Sequence, residues 1–445
     1  MREQFGQSDT RAKVVRATIP AGRLVQPTRT WSIVALLTGA FVINYLDRQI
    51  VFSMFPLLQR DLGFTNAELG VAGSLFTWTY SLAMPFSGRL ADTFPRSRLI
   101  VASVVLWSLA TLVTGLSTGA GPFLLSRVLM GLCESLYVPA ALGLITQVHP
   151  GRTRSRALSI HGFGQYTGIT LGGWYGGWAV EHIGWRQGFV SLTAVGLLYS
   201  ALLMWAFRSL TLPVISAQRQ PAHIRGLLHS HCYVALCSLF FSFCAMLWML
   251  YAWLPTFIHE RYALSLASSG LTATLYLQCS SAAGVLLGGA LGDALTRRYP
   301  TGRFQMVIWG LFVCAPFGLA IFATHSLPLL KISACGFGLF AGFLMGNIFS
   351  SLSDVVGNRD YGTATGVMNT IGGLGGGAAI LAVGIWKQSF GFDRLMFCGL
   401  LLSMSCSLFS SLSFAGDSTV SDSVPFHARL LETEPTVRLS NLPDC

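Results

Sequence analysis

The segment Gly88-Arg89-Leu90-Ala91-Asp92, followed by Arg96 and Arg98, recurs as Gly289-Ala290-Leu291-Gly292-Asp293, followed by Arg297 and Arg298. Both copies read G-x-x-x-D with basic residues a few positions on. Each stands just after the second apolar run of its half of the chain. Working outward, apolar runs of about 20 residues recur along the whole sequence, each long enough to cross ~30 Å of hydrocarbon as a helix. Twelve are predicted, near 32–56, 67–91, 98–118, 122–148, 157–181, 186–207, 229–258, 266–294, 304–324, 328–353, 361–388 and 392–415. The longest polar interruption, 208–228, carries Pro213, Gln218, Arg219, Gln220, Pro221 and Arg225 and divides the runs into two sets of six. The fold class expected is an all-α membrane protein of two pseudo-symmetric six-helix halves. Its parts are an N-terminal stretch (1–30), a first bundle (31–207), a linker (208–228), a second bundle (229–415) and a polar tail (416–445).

Composition agrees. Hydrophobic residues make up 52% of the 445 and charged residues 11%, well under the roughly 25% of a soluble domain. The first run follows 30 mostly polar residues and has no small-residue cleavage site behind it, so it reads as a span rather than a signal peptide. A net charge of +11 invites a nucleic-acid reading, but its distribution argues otherwise. With both termini placed in the cytoplasm, 21 of the 29 Lys and Arg fall inside, 6 outside, and 2 (Arg48 and Arg127) within spans. That is the positive-inside asymmetry of a multi-pass protein. The basicity is topological, and no nucleic-acid partner is implied.

The ten cysteines show no C-x-x-C spacing and read mostly as small buried hydrophobes; the nine histidines show no ligand spacing. His229 and His231 mark a helix start. No metal site, cofactor motif or nucleophile appears, which leaves no case for an enzyme. The run Gly372-Gly373-Leu374-Gly375-Gly376-Gly377 lies inside an apolar span and reads as helix contact or a flexible break rather than a phosphate loop. In the fifth span, Gly164, Gly168, Gly172 and Gly176 recur at four-residue spacing, which allows close helix approach.

Against this apolar background, Asp47-Arg48 in the first span and Arg127 with Glu134 in the fourth stand out. A charge at bilayer depth costs roughly 2.5–3.5 kcal/mol or more. Such residues survive where they face a polar cavity and handle substrate, ions or protons. Helix rise brings Asp47 and Arg127 to similar depth on the outer side of the midplane. Glu134 lies about 10 Å deeper on the same face as Arg127, since seven residues is nearly two turns. Asp47 and Arg48 diverge by about 100°, so one of the two at most faces the cavity squarely. A guanidinium grips a carboxylate bidentately, and a carboxylate beside it can change protonation when substrate claims the arginine. The alternative reading makes Arg127 and Glu134 a structural pair. Trp248, Tyr251 and Trp253 suit packing, an interfacial anchor or cavity lining alike.

The paired loop motif resembles that of the major facilitator superfamily over roughly residues 30–415. The usual basic residue after the aspartate is replaced by Thr93 and the usual glycine by Pro95. The resemblance assigns Gly88, Asp92, Arg96, Gly289 and Asp293 to conformational gating. Four further segments look like the anion:cation symporter family of sugar-acid (galactonate, glucarate, hexuronate) and sialin-type carriers. They are Asn44-Tyr45-Leu46-Asp47-Arg48, Arg127-x6-Glu134 continuing to Pro139-Ala140, Trp253-Leu254-Pro255-Thr256-Phe257, and Gly366-Val367-Met368-Asn369-Thr370-Ile371-Gly372-Gly373. That likeness implies proton coupling at Asp47 and Glu134. It also implies substrate binding by Arg48, Arg127, Tyr45, Tyr80, Gln165 and Asn369. The antiporter Gly-Pro step of the fifth helix is missing, Trp174 and Tyr175 standing in the run instead, which favours symport.

The expectation is a proton-coupled symporter of a small organic anion that works as a monomer in the cell inner membrane by rocking of two halves. A lysolipid- or sphingolipid-type carrier and a non-transporting nutrient sensor on the same fold are the competing readings.

Overall fold

In the computed structural model, residues 27–149, 151–208, 224–299, 301–356, 360–391, 394–395, 397–402 and 404–405 are described. The N-terminal stretch, most of the linker, the tail and the end of the twelfth predicted span lie outside them. The first bundle contains α1 (Pro27–Ser53), α2 (Phe55–Leu62), α3 (Asn66–Thr93), α4 (Arg96–Gly115), α5 (Ala120–Ser135), α6 (Tyr137–Val148), α7 (Arg154–His182) and α8 (Trp185–Phe207). The second contains α9 (Ile224–His229), α10 (His231–Tyr262), α11 (Leu266–Thr296), α12 (Gly302–Ala323), α13 (Leu327–Val355) and α14 (Tyr361–Phe390). Residues 394–395, 397–402 and 404–405 are helical and fall in the twelfth predicted span.

Eleven predicted spans correspond to these helices, with three differences. The fourth is broken at Leu136 into α5 and α6. Pro139 lacks an N–H and its ring crowds the carbonyl four residues back, at Ser135, where α5 stops. The short helices α2 and α9 carry no long apolar run and leave no span-length signal. Gly63, at φ +67°, ends α2 in the left-handed region, and a capping box between Thr65 and Glu68 then starts α3.

Among the described residues, nine helical stretches are long and apolar enough to cross a membrane. The long helices α3 and α7 fall outside that set, their sequences diluted by residues such as Ser74, Thr77, Tyr80, His161, Gln165 and Tyr166. These are inner helices: α3 packs on α14 and α7 on α11, forming the seam between the bundles. The outer surface is apolar instead, with Leu198, Trp205, Leu286 and Ile332 exposed, as a lipid-facing surface requires. Cys237, Cys244 and Cys314 are buried as expected, but Cys279 and Cys398 are exposed on this apolar surface, where a thiol meets lipid at little cost.

The two bundles repeat one packing plan. α1 lies along α7 as α10 lies along α14; α3 meets α5 as α11 meets α13; α4 meets α5 as α12 meets α13. The α1–α7 contact explains the glycine spacing. Gly164, Gly168, Gly172 and Gly176 face the backbone at Thr38, Val42, Leu46 and Ile50, so glycine side and carbonyl side advance together four residues at a time. A Cβ at Gly168 would meet the Val42 carbonyl oxygen at 2.5 Å. The glycine-rich run of α14 likewise meets side chains, Gly373 facing Ser81 and Gly377 facing Trp78 of α3.

The seam is tight at the distal end. At the distal face, opposite the start of α1, Gly70 meets Gly384, Gly173 meets Gly270, and Gly177 meets Leu266. Ser74 Oγ donates to Gly377 O at 2.7 Å, and the Ala267 amide donates to Glu181 at 2.9 Å. Toward the proximal face, added Cβ atoms at Gly88, Gly162, Gly289, Gly362 and Gly366 would find open space. The bundles are closed distally.

Candidate functional site

The close α1–α7 packing fixes the last turns of α1, from which Asp47 and Arg48 project, while Arg127 and Glu134 come from α5. Asp47 and Arg48 diverge as adjacent helical residues must. Asp47 turns into its own bundle, toward Thr111 of α4 and Arg127 of α5. Arg48 turns toward α3 and the seam. Its Nε donates to Glu134 Oε2 at 2.5 Å, and Asn44 lies beside the same carboxylate. All four ionisable side chains are at most 4% exposed.

Aromatic rings hold the guanidinium in place. The Arg48 carbon lies 4.2 Å from the Tyr80 ring centroid, 4.6 Å from Tyr45 and 5.2 Å from Phe76. Phe76 also faces Arg127, 5.0 Å away, so one ring contacts both cations. Such contacts are worth roughly 2 kcal/mol or more when desolvated. They stabilise cations without neutralising them.

Arg127 is the more weakly satisfied of the two. It reaches Met130 Sδ at 3.0 Å, while its Nε and Nη2 have no hydrogen-bond partner. Arg48 Nη2, Glu134 Oε1 and Asp47 Oδ1 are in the same condition. Buried polar atoms are rarely left so, since each costs about 1–3 kcal/mol. The cluster has donors and acceptors to offer a ligand. The structural pair is therefore Arg48–Glu134, between α1 and α5, and not an Arg127–Glu134 pair along one helix.

The remaining sequence-predicted residues are placed as follows. Tyr45 and Tyr80 join the cluster through Arg48. Asn369 is half-buried on α14 and donates to the Thr365 carbonyl of its own helix at 3.0 Å. Gln165 is half-buried on α7 and makes no hydrogen bond to the ionic residues. Trp253 is fully buried, donating to Ile380 O at 3.1 Å and packing on Phe55, whereas Trp248 joins Phe76 and Tyr80 in one cluster.

Both loop motifs engage partners inside their own bundle. Arg96 donates to Gly143 O at 2.9 Å and to Gln147 at 3.2 Å. Arg303 bridges Asp293 at 2.8 Å and Asp354 at 3.2 Å, tying the ends of α11, α12 and α13 together. Gly88 and Gly289 border open space, and Asp92 is half-buried on the last turn of α3.

Sequence reasoning missed three contributors. Phe76 looks like any core aromatic. Gln49 donates to Tyr251 O at 3.0 Å and ties α1 to α10 across the seam. Gln278 is fully buried on α11. The one signal for Gln278 was its amide inside the apolar stretch Leu277-Gln278-Cys279.

The profile of the Major Facilitator Superfamily matches residues 37–380. The chain is 24% identical over 402 residues to the D-galactonate transporter of Escherichia coli O6:H1, covering 84% of this chain and 93% of that one. It is 26% identical over 393 residues to the sodium-dependent phosphate transport protein 1, chloroplastic, of Arabidopsis thaliana, covering 82% and 75%. Among solved structures, a bacterial homologue of the human lysosomal transporter Spinster, in an inward-facing and unoccupied conformation, aligns with a TM-score of 0.75 at 20% identity. That alignment covers 88% of this chain and 98% of the other.

Proposed function

Because the chain belongs to the Major Facilitator Superfamily, we propose that it is a secondary active transporter carrying a small organic anion together with protons. It is a multi-pass membrane transporter related to organic-anion and sugar-acid carriers, not an enzyme. The anion is a sugar acid or similar carboxylate, bound at the ionic cluster of the first bundle. The observation that carries this reading is the buried Arg48–Glu134 pair next to the incompletely satisfied Arg127.

The mechanism follows from competition for a guanidinium. With Glu134 ionised, Arg48 is neutralised and has less pull on an external anion. When Glu134 takes a proton, Arg48 is released and pairs with the substrate carboxylate, bidentately. Release of the proton on the opposite side of the membrane restores the pair and expels the anion there. Asp47 plays the same part for Arg127. A buried pair suits such a switch because each charge is costly without its partner.

Substrate access follows from the seam. We place the cytoplasm at the proximal face, where α1 begins and where Arg89, Arg96, Arg98, Arg297 and Arg298 stand, so that the distally closed arrangement corresponds to an inward-open state. Alternating access comes from rocking of the bundles 31–207 and 229–415, with Gly88, Asp92, Arg96, Gly289 and Asp293 governing the proximal closure in a monomer of the inner membrane. Tyr45, Tyr80, Gln165 and Asn369 line the path and complete the substrate contacts. A lipid cargo is less well served, since the seam at this depth presents Tyr45, Tyr80, Tyr251 and Gln278 rather than an apolar groove.

Reconstituted uptake tests the proposal. Accumulation of D-galactonate driven by an inwardly directed proton gradient, unaffected by sodium, is the expected result. Accumulation that requires sodium and ignores the proton gradient contradicts it.

A further inference from the structure

The ionic cluster belongs wholly to the first bundle, which raises the question of what the second bundle offers opposite it. Gln278 of α11 is fully buried, and its amide nitrogen and oxygen meet no hydrogen-bond partner apart from the neighbouring Tyr251 phenol. Tyr251 of α10 lies beside that amide, with Tyr45 and Tyr166 of the first bundle near the same ring. Gln49, next to Arg48 in sequence, holds the Tyr251 carbonyl at 3.0 Å and brings these residues level with the cluster. Helix counting agrees. Gln278, Tyr251 and Glu134 lie about 18, 17 and 21 Å along their helices from the distal ends.

Charge separates the two sides. Among the described residues, the cations of the second bundle sit at helix ends. Lys331 lies over Tyr276 near the start of α13, Lys387 pairs with Glu260 at the end of α14, and Arg303 is held by Asp293 and Asp354 at the proximal face. Among the described residues, no guanidinium or ammonium hydrogen-bonds to Gln278. A second carboxylate there would be buried against a neutral amide and a phenol, which cannot compensate its lost hydration. A hydroxyl would be welcome, because the amide offers both a donor and an acceptor.

We infer that Gln278 and Tyr251 form a neutral hydrogen-bonding pole that receives the hydroxyl-bearing end of a monoanionic substrate and selects against dianions. The inference rests on the anion-carrier reading above and deepens it. Arg48 and Arg127 hold the single carboxylate, and the second bundle reads the uncharged remainder. Rocking then moves a ligand gripped at both ends by different bundles.

Calorimetric titration of the purified full chain with three probes tests this. D-galactonate is a hydroxylated monoanion, galactarate is the dianion on the same carbon skeleton, and hexanoate has one carboxylate and no hydroxyls. The wild type is expected to bind galactonate about tenfold or more tighter than either of the others. Gln278→Leu should weaken galactonate about tenfold and leave hexanoate within about twofold. Gln278→Lys, which puts a cation at the neutral pole and does not depend on the first variant folding, should shift preference toward galactarate by about tenfold. An unchanged galactonate-to-galactarate ratio in both variants, or a wild type that prefers galactarate, overturns the neutral pole. If Arg48→Ala still abolishes binding in that case, the anion site stands without it. Galactonate binding that survives Arg48→Ala, or no binding of any probe to the wild type, overturns the anion reading itself.

Discussion

Arg48 and Glu134 form a buried ion pair that joins α1 to α5, Nε to Oε2 at 2.5 Å, on the seam side of the first bundle. A pair so placed is weak grounds for stability, since desolvating two charges cancels much of their attraction. It is stronger grounds for a switch. Removing one partner leaves the other uncompensated, at a cost of roughly 3–5 kcal/mol, and that imbalance drives capture of a replacement ion.

Arg48→Ala is expected to abolish anion binding, and Arg48→Lys to weaken it by about tenfold or more. Lysine keeps the charge but loses the planar fork that pairs with Glu134 and stacks on Tyr45 and Tyr80. Calorimetry on detergent-purified protein decides this, with size-exclusion profiles confirming that both variants fold. Full affinity in the lysine variant would mean that charge alone matters.

Phe76 stands between two cations, 5.2 Å from Arg48 and 5.0 Å from Arg127. Phe76→Leu keeps an apolar side chain of similar reach but removes the ring face. A loss of about 1–2 kcal/mol in anion affinity is expected, through less well-oriented guanidinium groups. Leu replacement of a ring that merely fills space would instead lower thermal stability and leave affinity alone.

The distal seam has no room for a methyl group at Gly270, where the added Cβ would collide with the Gly173 carbonyl. Gly270→Ala should therefore hold the bundles apart distally and slow transport at least about tenfold. Thiol labelling of Ala267→Cys at this face should become faster in the Gly270→Ala background. Unchanged labelling and transport would show that this seam does not limit the cycle.

Much of the architecture was legible in the chain because bilayer thickness sets helix length. Helix α7 shows how far the reading reached: its four-residue glycine spacing predicted a close contact, and the partner proved to be α1. The same residues also show the limit. Gly173 and Gly177, one position out of that register, face α11 in the other bundle, a relation across the chain that spacing cannot reveal. The buried ionic cluster was legible through charge. Asp47, Arg48, Arg127 and Glu134 are conspicuous in apolar helices, but their pairing depends on which way adjacent side chains point. Gln278 escaped notice because one neutral amide in a membrane helix is ordinary until its lack of partners beyond Tyr251 is seen.

The most direct test of the account is proton-gradient-driven uptake of D-galactonate into proteoliposomes containing Glu134→Gln, compared with counterflow exchange in the same vesicles. The amide resembles the protonated acid, so Arg48 remains free for substrate while no proton can be gained or lost. The account predicts that gradient-driven accumulation disappears while exchange of labelled for unlabelled galactonate continues. Accumulation that persists in Glu134→Gln at the wild-type level would contradict it.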